Sequence, residues 1–199
     1  FYGKSGGQPG DVWQIIAEGQ KIQVNDTIKK GESIKNILEN LNGLSKNQKV
    51  IARINWDKRY KYMRMHSALH LMCASIPLGV TGGQIGYEKS RLDFNDPNKE
   101  IRKEELQEQI NTLMKDDHKI TFEYIDNKIL ESQPELVRTM SVKPPNIDGK
   151  LRFVKIGNVD FQPCGGTHVR STKEIGKITI GKIENKGRMN RRVNILIND

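Results

Sequence analysis

Two short motifs, far apart in the chain, restrict its possible folds more than any other feature. His66-Ser-Ala-Leu-His70 and Cys164-Gly-Gly-Thr-His168 together hold three of the four histidines and one of the two cysteines. Each pair of end residues is spaced i, i+4, which places two side chains on one face of a helix and also brings them close in a tight Gly-rich turn. A fold that joins the two motifs would therefore gather four side chains that can bind a metal.

Imidazole nitrogen and thiolate sulfur are ligands that zinc accepts, usually four at a time in a tetrahedron. The sequence thus makes candidate ligands for one zinc ion of His66, His70, Cys164 and His168. Histidines at helical spacing also occur as half-buried core residues, so the first motif alone does not establish a metal site. The second motif is stronger, because a cysteine and a histidine around two glycines are poor core material.

The charge of the chain indicates the kind of partner to expect. Lys and Arg number 33 against 24 Asp and Glu, which gives a net charge of +9. This excess suits a polyanion such as nucleic acid, although a generically basic, solvated surface has the same composition. The two cysteines lie in unlike contexts and do not indicate a disulfide framework, so we expect a reducing compartment, the cytoplasm.

Several expectations come from what the sequence does not display. No apolar run approaches the roughly 20 residues that span a bilayer, and no secretory leader is visible, so we expect no membrane partner. The chain begins with Phe1 rather than Met, and we expect further residues upstream. Nothing in the sequence indicates an oligomeric state.

Hydrophobic periodicity predicts an α+β fold with a mostly antiparallel sheet. Residues 57–76 form a predicted helix, capped by Asp57, whose buried face carries Met65, Leu69, Met72 and Ile76. A second helix is predicted over 98–115, and a strand hairpin over 177–197. Residues 12–54 contain three predicted short strands, with one or two helical turns at 33–41. Strands outnumber helices and alternate irregularly with them, which disfavours a doubly wound parallel sheet.

Two Gly-rich segments and one basic turn supply further candidates. Residues 1–10 and 80–86 are predicted loops that either approach a ligand or are simply surface turns. The predicted turn at 185–192 is rich in positive charge and either contacts a phosphate backbone or only solvates and protects the hairpin edge. The candidate tRNA-binding residues of this turn are Lys186, Arg188, Arg191 and Arg192.

Taken together and in order, the motifs resemble those of the alanyl-tRNA editing family, which comprises the AlaX proteins and the editing domain of alanyl-tRNA synthetase. The resemblance covers essentially the whole chain. Residues 1–11 are similar to the family's Gly-rich motif, His66–His70 and Cys164–Val169 to its metal motifs, and Arg91–Phe94 to the strand after its first helix. Ser5 departs from the pattern, since the family usually has glycine there.

This resemblance implies a hydrolase that removes wrongly attached serine, or glycine, from the tRNA for alanine. It implies zinc at His66, His70, Cys164 and His168, and a small N-terminal β-barrel-like domain, residues 1–56, packed on a two-layer α/β editing domain, residues 57–199. Within that framework Thr81, Gln84 and Gln8 are the candidate catalytic residues, because a site that binds a hydroxyl discriminates strongly against an analogue without one. The candidate substrate-binding residues are Gly6, Gly7, Gly165, Gly166 and Thr167.

Two alternatives stay open at the level of sequence. The chain could be the editing portion of a full alanyl-tRNA synthetase, or a non-catalytic zinc-stabilised tRNA-binding module with all four ligands closed around the ion. For the hydrolase, zinc could activate a water molecule or only orient the substrate.

Overall fold

The first half of the chain alternates short strands with one long helix. The computed structural model describes residues 1–31, 33–139 and 146–198. The elements of the first half are β1 Trp13–Ala17, β2 Gln20–Lys30, β3 Ser33–Leu38, β4 Ile51–Ile54, α1 Trp56–Ser75, β5 Val80–Gln84 and β6 Lys89–Asn95.

The second half has the same mixed character. Its elements are α2 Lys103–Lys115, β7 Ile120–Asp126, α3 Ile129–Ser132, β8 Asn146–Ile147, β9 Lys150–Ile156, β10 Asp160–Pro163, β11 Ile178–Lys186 and β12 Asn190–Ile197. The described strands form three sheets whose pairings are all antiparallel. This confirms a mixed fold with mostly antiparallel sheets. None of the described helices is long and apolar enough to cross a membrane.

The N-terminal sheet differs from the sequence prediction in two ways. Its order is β3-β2-β1-β4, so the described strands leave it open, with β3 and β4 as edges, rather than closed into a barrel. Four strands are also too few to close around a packed interior. The predicted helical turns at 33–41 are wrong: β3 pairs with β2, and Gly31, at φ +62°, occupies the turn between them.

Helix α1 is the central element of the core. Asn55 caps it by accepting a hydrogen bond from the backbone N–H of Lys58, so the predicted cap, Asp57, instead lies in the first turn. The predicted apolar stripe is confirmed, because Met65, Leu69, Met72 and Ile76 are all buried. This face packs into one apolar cluster with the sheet β11-β12-β6-β5 and with α2.

Two other predicted boundaries shift for local reasons. Helix α2 begins at Lys103 rather than near Asn98, since the Asp96 carboxylate accepts the N–H groups of Glu100 and Ile101 and holds that segment in a turn. The predicted loop at 80–86 is largely a strand, because β5 pairs with β6 through a bulge. Of the predicted loop 141–150, residues 141–145 lie outside the described residues, and Asn146–Ile147 pair with β9.

The third sheet has the order β10-β9-β7. Strand β8 pairs with the first two residues of β9, whereas β10 pairs with its last four. Strand β10 leads directly into the second motif, and α1 packs against β10. This packing brings the end of one sheet to the helix that carries the first motif.

Candidate metal centre

The fold brings the two distant motifs together at one point. His66 and His70 project from successive turns of α1, while Cys164 follows β10 and His168 lies four residues further. One ligand atom from each of these four side chains lies within 4.8 Å of every other. The four residues form a group that could hold a metal ion.

The contacts within the group show which atoms face its centre. Cys164 Sγ lies 3.4 Å from Nε2 of His66 and 3.4 Å from Nε2 of His168. The ring centroids of His66 and His168 are 4.3 Å apart, and those of His70 and His168 are 4.6 Å apart. Three nitrogens and one sulfur therefore converge on a space of atomic size.

Each histidine is held from behind through its other ring nitrogen. Nδ1 of His66 lies 2.9 Å from Gln8 Oε1, and Nδ1 of His70 lies 2.7 Å from Asp160 Oδ2. Nδ1 of His168 lies 3.2 Å from the hydroxyl oxygen of Ser67. Such outer partners fix the orientation of histidine ligands, which leaves Nε2 of each ring for the metal.

Gly166 gives the turn its close approach to α1. A Cβ at this position would lie 2.0 Å from Cε1 of His66 and 2.9 Å from Oε1 of Gln8. A larger residue would therefore displace the ring. The ring of His66 occupies the space beside Gly166, whereas the preceding residue, Gly165, is exposed.

The pKa values of Cys164 and His168 are shifted toward the forms that bind a metal. Burial alone would raise the pKa of the Cys164 thiol, but His66 and His168 outweigh it and hold this pKa well below its usual value. Burial, together with His66, lowers the pKa of His168 to about 3. The group thus offers a thiolate and a neutral imidazole, which are the protonation states that bind a cation.

His70 carries the opposite shift. Burial would lower its pKa, but hydrogen bonds to Asp160 and Cys164 raise it to about 10. Since a proton and a metal ion compete for the same lone pair on Nε2, binding of a cation would release this proton.

The N-terminal Gly-rich loop reaches the centre through Gln8, which is buried. Its Nε2 donates to Oγ1 of Thr167 at 2.8 Å, and its Oε1 accepts from the Thr167 backbone N–H at 3.0 Å. Gly6 and Gly7 make the bend, with φ of +54° and +80°, and the Gly7 carbonyl accepts from Ile85 N–H. Gln8, Gly7 and Thr167 therefore belong to one contiguous wall beside the four-residue group.

The other two candidate catalytic residues are placed differently. Thr81 lies on β5, where its single O–H has two acceptors within reach, the Asp93 carbonyl at 3.2 Å and Asn190 Oδ1 at 3.0 Å. Gln84 is exposed at the end of the same strand. The described hydrogen bonds of Thr81 thus tie it to β6 and β12, and its role in substrate recognition stays a prediction.

The four candidate tRNA-binding residues do not share one environment. Arg191 and Arg192 belong to β12 rather than to the turn, and Arg192 forms an ion pair with Asp93, Nε to Oδ1 at 2.8 Å. Lys186 forms an ion pair with Glu184 at 3.0 Å, while Arg188 is exposed in the turn. Contact of these residues with RNA stays a prediction.

Sequence reasoning did not single out Asp160 or Ser67, which position two of the histidines. Gln162 was missed as well, and its Nε2 donates to Asp160 Oδ2 at 2.9 Å and so holds the carboxylate toward His70. The one usable signal was the alternation along β10, which places Asp160 and Gln162 on the same face two residues apart.

Comparison with known proteins agrees with this geometry. Residues 151–194, which include the second motif, match the family model described as the threonyl and alanyl tRNA synthetase second additional domain. The chain is 36% identical to the alanyl-tRNA editing protein AlaX-M of Saccharolobus solfataricus, over 97% of this chain and 84% of that protein. It is 34% identical to AlaX-M of Methanosarcina barkeri, with the same coverage of both chains.

A longer relative shares the same region. The alanine–tRNA ligase of Metallosphaera sedula is 31% identical over 92% of this chain, which corresponds to 21% of the ligase. The match over residues 151–194, which include the second motif, places the chain among proteins that carry the synthetase second additional domain. Within this class, the chain belongs to the family of alanyl-tRNA editing proteins.

Proposed function

We propose that this chain is a trans-acting aminoacyl-tRNA hydrolase that removes serine, or glycine, from mischarged tRNA for alanine. One observation carries the proposal: three histidines and a thiolate converge beside a Gly-rich loop in a member of the alanyl-tRNA editing family. The net charge of +9 suits a tRNA partner.

We propose zinc as the metal because the donor set is three nitrogens and one sulfur. His66, His70, Cys164 and His168 would hold the ion, and their chemistry matches its preference. When bound, zinc could lower the pKa of a water molecule or polarise the ester carbonyl. The three outer partners, Gln8, Asp160 and Ser67, keep the ligand rings in place during the reaction.

The aminoacyl ester is already activated, so the main task of the protein is to hold the ester in the correct orientation for attack. Gly165 is exposed next to Cys164 and gives the substrate access from that side. Gln8 and Thr167 form a hydrogen-bonded wall beside the four ligands, and their mutual bonds fix its shape. Thr81 is our proposed partner for the serine hydroxyl.

We also propose that the chain has two domains, residues 1–56 and 57–199, with the open sheet β3-β2-β1-β4 in the first. Two separate apolar clusters support this division. The smaller contains Trp13, Ile15, Ala17, Ile22 and Val24, and the larger surrounds α1. The proposed cellular location is the cytoplasm.

The function is tested by deacylation of tRNA for alanine charged with serine, glycine or alanine, with and without a chelator. We expect release of serine or glycine, little release of alanine, and loss of activity when the metal is removed. Circular dichroism on the same samples reports whether the fold survives chelation, as the extensive core around α1 predicts.

The competing assignment, a zinc-stabilised tRNA-binding module, predicts the reverse outcome. It requires unfolding upon chelation and no deacylation by the metal-loaded protein. Sequence identity does not separate the free-standing form from a full synthetase, since it is 31–36% to the AlaX-M proteins and 31–32% to the alanine–tRNA ligases. An immunoblot of source cells decides this point, because the matched region is only 21% of the ligase and a full synthetase would appear as a band of several times higher mass.

A further inference from the structure

Strand β7 presents two aromatic rings to solvent. Phe122 is 60% exposed and Tyr124 is 52% exposed, although aromatic side chains usually contribute to a core. Their ring centroids lie 6.3 Å apart and their planes are nearly perpendicular. Together they form a small apolar platform, which we call the β7 platform.

The register of the sheet places the β7 platform on the same face as the metal centre. Tyr124 pairs with Arg152 on β9, and the Cys164 N–H donates to the Arg152 carbonyl at 2.9 Å, so the three residues form one row across the sheet. Phe122 lies in the next row, with Val154 and Gln162.

Side chains in one row point to the same face, and neighbouring strands lie about 4.8 Å apart. The backbones of Tyr124 and Cys164 therefore lie about 10 Å apart across the sheet, as two strand spacings require. The ribose and base of one or two nucleotides can bridge this separation.

Arg152 joins the platform to the centre. Its guanidinium carbon lies 4.5 Å from the centroid of the Phe122 ring, in cation–π contact. Its Nη1 donates to the carbonyls of Cys164 at 2.6 Å and Gly166 at 3.0 Å. One cationic side chain thus holds the ring and the metal-binding turn in a fixed relation.

We propose that the β7 platform stacks unpaired bases at the 3′ end of the tRNA while the terminal ribose presents its ester to the metal centre. Exposed aromatic rings beside an arginine are the elements that bind single-stranded nucleic acid with little sequence preference. The net charge of +9 favours a polyanion as the occupant. This inference rests on the proposed function, because it assigns a role to rings beside the editing site.

Stacking can be measured without catalysis. Acceptor-stem RNA hairpins carry 2-aminopurine at one unpaired 3′ position at a time, since the fluorescence of this base falls when it stacks on an aromatic ring. The metal-loaded protein should quench at least one position. In the double variant Phe122→Ala and Tyr124→Ala we expect the quench to be lost and the Kd for RNA to rise by at least about tenfold.

Matched variants separate stacking from other effects. Phe122→Tyr and Tyr124→Phe keep a ring at each position and should keep the quench. Trp56→Ala removes a ring of similar exposure, 54%, that stacks on Tyr60 at the start of α1, and should leave both quench and Kd unchanged. Metal content and circular dichroism establish that each variant is folded.

The outcomes distinguish this inference from the proposed function. If the wild-type protein deacylates mischarged tRNA but no position shows a quench that depends on Phe122 or Tyr124, the platform does not bind bases, and the hydrolase assignment stands. If the ring-dependent quench is present but no deacylation occurs, the platform stands and the hydrolase assignment fails. In the double variant, a KM for deacylation equal to that of Trp56→Ala would also overturn the inference.

Discussion

The three histidines of the metal centre have outer partners of different charge. Gln8 and Ser67 are neutral, whereas Asp160 brings a carboxylate to Nδ1 of His70 in a buried environment. A divalent cation carries twice the charge of the proton that it displaces from His70. The carboxylate therefore stabilises the metal-bound form more than the protonated form.

Asp160→Asn should accordingly weaken metal binding. The amide keeps the size of the side chain but removes its charge, and loss of such a partner typically lowers metal affinity about 10- to 100-fold. Competition for zinc against a chromophoric chelator measures the change. The control is Asp116→Asn, since Asp116 has a side chain that is 52% exposed. An affinity equal to that of the control would show that Asp160 does not act through charge.

The spacing of the motifs was enough to predict which four side chains come together. Their positioning partners were not predictable in the same way: Gln8 was chosen only as a catalytic candidate, and its contact with His66 was not predicted. Asp160 lies 90 residues from His70 in sequence, and their contact depends on the packing of α1 against β10. The periodicity of a single segment does not encode such a contact.

At the scale of elements, the spacing of apolar residues predicted the long central helix and failed where local signals were weak. The predicted helix over 57–76 corresponds to α1, and its predicted apolar positions are buried. Residues 33–41 were instead predicted as helical turns, although they contain strand β3. Pairing with β2 outweighs local helix propensity there, as tertiary contacts often do. In the β11–β12 hairpin the predicted turn was too long, and two of its arginines belong to β12.

This hairpin predicts unequal roles for its arginines. Arg188→Gln should weaken tRNA binding and reduce the slope of log affinity against log salt by about one, as expected for one lost phosphate contact. Arg192→Gln should instead lower the free energy of unfolding, because Asp93 loses an ion-pair partner. Fluorescence anisotropy at several salt concentrations and urea unfolding measure the two effects.

The ion pairs around Asp93 supply the reason for this distinction. Burial would raise the pKa of the Asp93 carboxyl, but hydrogen bonds from Arg192 and Arg91 outweigh it and lower this pKa. The carboxylate therefore stabilises the folded state at neutral pH. An equal loss of salt dependence in both variants would contradict the separation of roles.

At the scale of the whole molecule, a buried polar contact connects the N-terminal segment to the main core. The Asp11 carboxylate accepts from Nε of Arg59 on α1 at 2.7 Å and from the Tyr2 backbone N–H at 2.6 Å. The Asp11 side chain is only 2% exposed. Gln8 lies on the same loop, so this contact also supports the outer partner of His66.

Arg59→Met should destabilise the protein by about 3 kcal/mol, because it leaves a buried carboxylate without its cation. Adding Asp11→Asn should restore part of the loss, since no buried charge is then unpaired. Urea unfolding measures both variants, with Arg53→Met at an exposed position of β4 as the control. If the second change caused a further loss of similar size, the two residues would not be acting as a pair.

The contact between Gly166 and His66 has a consequence for the speed of metal capture. The imidazole ring is confined by a backbone on one side and by an amide on the other, so it has essentially one rotamer to adopt. A side chain that is already immobilised loses little conformational entropy when it becomes a ligand. Metal capture should then be limited by dehydration of the ion, with no search among side-chain conformers at His66.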